Sequence, residues 1–117
     1  MRISIVDDAG PTATVALHGR LDFKGVEIVA PPLATLSASK RGLVIDMSGV
    51  TFIASVGVRQ LLTASLELAR RGEGRLVLLR PAEPVVNVLG AAGVTDFMTI
   101  VHSEREASTA ATPIGEA

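Results

Sequence analysis

The chain has 117 residues, 48% of them hydrophobic, which is enough for one domain with one buried core. It contains no cysteine, which excludes disulfides, zinc–thiolate sites and thiol catalysis. A net charge of −1 and an aromatic content of only three phenylalanines argue against a nucleic-acid-binding protein and against attraction to an anionic membrane. No apolar run is long enough to cross a bilayer, and the first residues lack the apolar stretch of a signal peptide, so we expect a cytoplasmic protein.

The chain is predicted to begin with a β-hairpin. Residues 3–6 form a short apolar run that stops at the turn signal DDAGP, residues 7–11. Residues 12–17 then alternate with period two and include β-branched side chains, as a half-buried strand does. Residues 19–22 close this second strand.

Helices and apolar strands alternate through the rest of the chain. Residues 23–40 have helical spacing, but Pro31 and Pro32 interrupt it, and a proline within a helix costs about 3 kcal/mol. We therefore expect either a kink or an irregular first turn followed by a regular helix that restarts near Pro31, and the tolerance of proline at the first helical position favours the restart. The further predicted elements are a strand over 43–46, an irregular stretch over 47–54, a helix over 55–71, a strand over 75–79, a helix over 84–92, a strand over 97–101 and a helical turn or two over 104–110.

This element order predicts an α/β sheet with parallel crossovers, in which function gathers where strand ends lead into helix starts. The segment 46–57 is such a place, and Ser55 opens a helix there. Backbone N–H groups at a helix start favour an anion, either bound or carried by the serine itself as a phosphate. Serine is also a common helix-capping residue. The residues alone leave both interpretations of Ser55 open.

Catalytic and metal sites find little support in the residue pattern. A nucleophilic serine needs a general base and an oxyanion hole, and Ile53 occupies the place of the first glycine in Gly-x-Ser-x-Gly. The only histidines are His18, at a strand end, and His102, in a late segment. No spacing of carboxylates resembles a calcium loop or a two-histidine metal site. We therefore predict no enzyme activity, no metal and no cofactor.

Two strand-ending carboxylates, Asp22 and Asp46, are further candidates for a site. If their strands are neighbours, both carboxylates are expected on the rim of the sheet near Ser55. The simpler alternative is that each of them caps the backbone of a helix or turn.

Three segments in register resemble the STAS domain, which anti-sigma-factor antagonists share with sulphate transporters. Residues 44–58 (VIDMSGVTFIASVGV) look like the family's apolar strand, Asp, and later Asp-Ser-Ser/Thr-Gly turn. Residues 17–22 (LHGRLD) resemble the family's Gly-x-Leu-Asp at the end of its second strand, and residues 93–97 and 103–107 fit the end of the domain.

The resemblance implies an α/β fold with a STAS-type mixed sheet of four to five strands, an N-terminal antiparallel hairpin and three to four helices. The domain is expected over residues 1–110, with a frayed tail over 111–117. In stand-alone bacterial antagonists, the first serine of the turn is phosphorylated by the partner, an anti-sigma factor that is also a serine kinase. The unphosphorylated form binds this kinase and frees the sigma factor. The resemblance assigns the phosphoacceptor role to Ser55 and partner binding to Asp22, Ile53, Ala54, Ser55, Val56, Gly57 and Arg59.

Three positions depart from the family pattern. Ala54 replaces the acid before the serine, Val56 replaces the second hydroxyl, and Arg59 stands where the family has glycine. The changes bear on kinase recognition and leave the expected fold untouched. They keep a second function open, that of a constitutive STAS subunit in a cytoplasmic assembly such as a lipid-transport ABC complex. An enzyme or small-ligand binder is the third alternative, and the sequence leaves the oligomeric state open.

Overall fold

A computed structural model describes residues 1–71 and 74–111, in which five strands and four α-helices follow one another along the chain. The elements are β1 (Arg2–Asp7), β2 (Thr12–Leu21), α1 (Phe23–Ser39), β3 (Gly42–Ile53), α2 (Ser55–Arg70), β4 (Leu76–Leu79), α3 (Glu83–Ala91), β5 (Thr99–Val101) and α4 (Glu104–Ala111). A single 3-10 turn, Thr95–Phe97, precedes β5. The tail predicted over 111–117 lies outside the described residues, apart from Ala111 at the end of α4.

The strands form one mixed sheet in the order β1-β2-β3-β4-β5. The pair β1 and β2 is antiparallel, and each of the following pairs is parallel. The parallel pairs need crossover connections, which the helices supply. A five-stranded mixed sheet with an N-terminal hairpin and four helices confirms the predicted fold class.

An aliphatic core holds the helices to the sheet. Side chains from α1, α2 and α3 pack on one face of the sheet, with Leu33, Leu61 and Leu89 fully buried. On the other face, α4 covers a smaller cluster through Ala107 and Ala111. None of the phenylalanines belongs to either cluster, as the predicted aliphatic core requires. Among the helices of the described residues, none is long and apolar enough to span a membrane.

Helix α1 runs without a break through Pro31 and Pro32, so the predicted restart near Pro31 is wrong. In an unbroken helix, the amides that the prolines lack would have bonded to the carbonyls of Glu27 and Ile28. Both of these residues are exposed, so water can bond to the freed carbonyls. The buried apolar stripe of the helix continues on both sides of the prolines and anchors it to the sheet.

Strand β3 continues through residues 47–53, which corrects the prediction of an irregular stretch there. β2 also extends beyond the predicted residue 17, to Leu21, and gives β3 a partner along its whole length. Between the pairs Ala16–Asp46 and His18–Gly49, β3 advances one residue more than β2 does. Such irregularities break the period-two alternation by which a strand is recognised in a sequence.

Candidate functional site

The candidate site lies where the parallel strands β2 and β3 end side by side. Leu21 and Ile53 are paired, and each is followed by one linking residue and then a helix. The linking residue Asp22 precedes α1, and Ala54 precedes α2. The Ala54 N–H donates to the Leu21 carbonyl at 3.0 Å, which ties the two links together. The starts of α1 and α2 therefore lie next to each other at the carboxyl ends of β2 and β3.

Two glycines allow both helix starts to press against the end of β2. Gly25 and Gly57 each occupy the third position of their helix. A Cβ on Gly25 would overlap the carbonyl oxygen of Arg20, and a Cβ on Gly57 would lie 2.5 Å from the carbonyl oxygen of Leu21. The position of the first turn of α2, and with it that of Ser55, is thus fixed by backbone contact.

Ser55 is the first residue of α2, and its side chain is exposed. The N-cap is Ala54, and no side chain caps this helix, so the interpretation of Ser55 as a capping residue is wrong. No hydrogen bond of the Ser55 hydroxyl is found within residues 1–71 and 74–111. The amides of Ser55 and Val56, in the first turn, have no acceptor within the helix. A free hydroxyl thus stands at the positive end of the helix dipole.

Asp22 caps α1, as the simpler alternative for this residue expected. Its Oδ1 accepts a hydrogen bond from the Gly25 amide at 3.0 Å, and its Oδ2 lies 3.4 Å from Nε of Arg20. The Gly25 hydrogen bond, and to a smaller extent the Arg20 guanidinium, hold the pKa of Asp22 below its ordinary value, although desolvation acts in the opposite direction. Because folding lowers the pKa of Asp22, the ionised form of this side chain stabilises the folded state.

Asp46 does not lie on this rim, contrary to expectation. It stands in the middle of β3 beside Ala16, and Ile53 follows seven residues later, about 23 Å along a strand that rises roughly 3.3 Å per residue. Its carboxylate accepts a hydrogen bond from the Ser48 hydroxyl at 2.7 Å and lies 3.7 Å from the Arg80 guanidinium. The expectation fails because β3 is longer than the predicted strand that ended at Asp46.

Two exposed aromatic side chains come from the same strand ends and helix starts as Ser55, and neither was predicted to belong to the site. Phe23, the first residue of α1, is 69% exposed, and Phe52, near the end of β3, is 40% exposed. The Arg20 guanidinium lies over the Phe52 ring, 4.2 Å from its centroid. We call Arg20, Phe23 and Phe52 the aromatic edge. The signal for it was the placement of two of the chain's three aromatic residues at or just before predicted helix starts, in a chain with an aliphatic core.

The other residues predicted to bind a partner are placed in different ways. The side chain of Ile53 is buried and Gly57 packs on Leu21, so these two residues position the turn from within. Ala54 and Val56 are partly exposed. Arg59 is exposed one helical turn after Ser55 and has no ion pair with any described residue.

No histidine or carboxylate of the described residues is hydrogen-bonded to the Ser55 hydroxyl. Neither histidine is hydrogen-bonded to Ser55 in the part of the chain that the structure describes, and the ring of His18 instead packs against Gly49. A serine nucleophile requires such a bond to a base. Within residues 1–71 and 74–111, no group of three or more histidine, aspartate or glutamate side chains converges to hold a metal ion.

Comparison with protein families gives a match to the STAS domain over residues 4–107. The chain belongs to the STAS domain family. This match confirms the resemblance seen in the three sequence segments. No protein of curated function matches the sequence of this STAS chain significantly.

Solved structures share this STAS fold. An anti-sigma factor antagonist from Mycobacterium paratuberculosis is 20% identical with a TM-score of 0.79, and the match covers 94% of each chain. The unphosphorylated anti-sigma factor antagonist SpoIIAA is 24% identical with a TM-score of 0.76, over 92% of this chain and 93% of that one. Murine Slc26a9, an anion transporter, is 21% identical with a TM-score of 0.72, over 88% of this chain but 18% of that one. At these identities the likeness describes the fold.

Proposed function

We propose that this STAS domain is an anti-sigma-factor antagonist that works as a phosphorylation-controlled binding switch in the cytoplasm. It binds a serine-kinase anti-sigma factor while Ser55 is unphosphorylated and releases it when Ser55 carries a phosphate. The observation that carries the proposal is the exposed Ser55 hydroxyl at the first position of α2, free of any capping role. The description of SpoIIAA in both an unphosphorylated and a phosphorylated form supports it.

The fold tolerates a phosphate at Ser55. A phosphoserine adds about −1.5 to −2 charges. At the start of a helix, free amides and the helix dipole stabilise a negative charge. Arg59, one turn further on, adds a positive charge on the same helix, and Ala54 removes the carboxylate that the family pattern has directly before the serine, so Asp22 on the neighbouring link is the carboxylate that remains at these strand ends. Phosphorylation therefore acts on binding and spares the fold.

The surface around Ser55 has the composition of a protein-binding site. The aromatic edge provides two exposed rings and a guanidinium, and aromatic and arginine side chains dominate binding energy in protein interfaces. Phe52 precedes Ser55 by three residues and Phe23 opens the neighbouring helix, so we expect a partner that packs against these rings to cover Ser55 as well. A phosphate at Ser55 would lose its hydration when the partner covers it, and burial of a charge is costly unless it is well paired. The unphosphorylated and phosphorylated forms therefore differ strongly in affinity.

The direct test is capture of the partner and transfer of phosphate. The tagged chain is used to isolate a serine kinase from its native cell, the complex is incubated with ATP, and the modified residue is mapped by mass spectrometry. We expect stoichiometric modification at Ser55 together with release of the kinase. Tight binding without modification of Ser55 would contradict the switch, and modification at another serine would contradict the site.

Truncation of the aromatic edge is expected to weaken binding without unfolding the chain. Phe23→Ala removes a ring that is 69% exposed, so stability should change little, whereas the affinity for the kinase should fall at least about tenfold. Phe97→Ala is the matched control, because Phe97 is 51% exposed but lies in the 3-10 turn before β5. Isothermal titration of both variants decides the question, and equal losses for the two would remove the aromatic edge from the interface.

A second candidate function is a constitutive STAS subunit of a transport assembly. Ala54 and Val56 favour it, because the turn lacks the polar neighbours that accompany the serine in the family pattern. The STAS fold also occurs within Slc26a9, an anion transporter. Co-purification of the chain with a permease and an ATPase, and no kinase, would favour this candidate over the switch.

A further inference from the structure

Strand β1 forms one edge of the sheet, at the opposite end of the order from β5. Within residues 1–71 and 74–111, β2 is its one sheet neighbour, and its outer side is unpaired. Two large aliphatic side chains on it are exposed, Ile5 by 54% and Val6 by 63%. An exposed edge of this kind presents unpaired N–H and C=O groups to a further strand. The side chains along β1 determine which strand can pair with this edge.

A bulge gives β1 an unusual distribution of side chains. Ile5 pairs with Val15 and Asp7 pairs with Thr14, so Val6 is an extra residue without a partner. Because consecutive ladder positions alternate between the faces of a sheet, Asp7 shares a face with Ser4 and Arg2. Without the bulge, Asp7 and Arg2 would point to opposite faces. The bulge thus places a cation and an anion on one face, at the two ends of the strand.

This arrangement is complementary to itself. In an antiparallel pairing of two β1 strands about a two-fold axis at Ser4, the ladder positions place Arg2 opposite Asp7 of the second copy, Ile3 opposite Ile5, and Ser4 opposite Ser4. Each dimer therefore has two contacts between Arg2 and Asp7 and two contacts between Ile3 and Ile5. Opposite charges directly across a ladder stabilise it, and the facing isoleucine side chains remove apolar surface from water.

The charged groups at the ends of β1 are available for this pairing. Arg2 is exposed and has no ion pair with any described residue. The Asp7 carboxylate accepts a hydrogen bond from the Ala9 amide at 3.1 Å and from no other group in the described ranges. The pairing uses neither the aromatic edge nor the turn at Ser55, although Met1, just before β1, lies beside Gly19 and Gly25 at the end of β2 and the start of α1.

We propose that the chain forms a homodimer in which β1 pairs antiparallel with β1 of a second copy, with Ser4 at the two-fold axis. The five-stranded sheets then join into one ten-stranded sheet. The interface is a single short strand from each copy, so the dimer dissociates on dilution. It does not depend on the proposed function, because it uses no residue of the aromatic edge or of the turn at Ser55.

Exchange of the two charges tests the register. Arg2→Asp places two like-charged pairs across the ladder, as does Asp7→Arg, and each single variant is expected to raise the dimer dissociation constant in analytical ultracentrifugation at least about tenfold. The double variant, Arg2→Asp with Asp7→Arg, restores opposite charges and should restore dimerisation. A wild-type chain that stays monomeric at every concentration overturns the proposal. Single variants that dimerise like the wild type, or a double variant that does not recover, overturn the register.

Cross-linking provides a second test that does not rely on charge. The chain has no cysteine, so Ser4→Cys introduces a single thiol at the proposed axis. Directly opposed residues of antiparallel strands have Cα atoms about 4.5 to 5.5 Å apart, within the range of a disulfide. Mild oxidation should give a covalent dimer of Ser4→Cys far faster than of Thr95→Cys, an exposed control near the opposite edge of the sheet. Equal rates for the two variants would contradict the proposal.

Discussion

Ser55→Glu is expected to lower the affinity for the partner kinase about a hundredfold, equivalent to roughly 2.7 kcal/mol of binding free energy. The carboxylate mimics part of the charge of a phosphate, and burial of an unmatched charge in an interface costs several kcal/mol. Ser55→Ala removes only a hydroxyl that has no hydrogen-bond partner among the described residues, so it should bind like the unmodified chain. Titration calorimetry with the purified kinase measures all three proteins.

Two controls separate loss of binding from loss of folding. A negative charge in the first turn of α2 interacts favourably with the helix dipole, by about 0.3 to 1 kcal/mol, so Ser55→Glu should melt at or slightly above the temperature of the unmodified chain. Thr63→Glu places the same charge on an exposed position two turns further along α2 and should bind normally. If Ser55→Glu and Thr63→Glu bind equally well, Ser55 does not control the interface.

The sequence was sufficient for the order of the elements but not for their lengths. Apolar periodicity identified β2, α1 and α2, because burial on one side leaves a regular pattern, and apolar runs with flanking turn or capping residues marked the shorter elements. Periodicity did not give the full length of β3, where extra residues relative to β2 break the alternation. The break predicted at Pro31 is wrong, because tertiary packing of the apolar stripe outweighs the local propensity and keeps α1 continuous.

The site was predictable in its centre and not in its surroundings. Ser55 stood out because it follows an apolar strand and opens a helix, and a local pattern encodes both facts. Arg20 and Phe52 come from different strands and meet only because β2 and β3 are paired in register. The capping interpretation of Ser55 failed because a sequence pattern does not fix the first helical residue to within one position, and here the N-cap is Ala54.

Gly57→Ala is expected to destabilise the chain by roughly 1 to 3 kcal/mol and to disturb the site at the same time. The added Cβ would lie 2.5 Å from the carbonyl oxygen of Leu21 and 2.8 Å from its Cγ, so α2 has to move away from β2. Gly90→Ala is the matched control, because a Cβ on Gly90 meets nothing within 4 Å. As an exposed residue within α3, it should gain up to about 1 kcal/mol from the higher helix propensity of alanine. Urea denaturation compares the three proteins, and equal stability of Gly57→Ala and the unmodified chain would contradict the close packing of the turn.

Binding measurements on the folded fraction distinguish a displaced turn from a merely weaker fold. Leu89→Ala removes a fully buried side chain from α3, on a helix other than the one that carries Ser55, and should cost about 2 to 5 kcal/mol. Its folded molecules should still bind the kinase normally, because the turn at Ser55 keeps its shape. Gly57→Ala should bind more weakly even when folded, because the added Cβ forces the start of α2 away from its original position against Leu21. Normal binding by folded Gly57→Ala would show that the partner tolerates a shifted helix start, and the contact of Gly57 with Leu21 would then matter for stability alone.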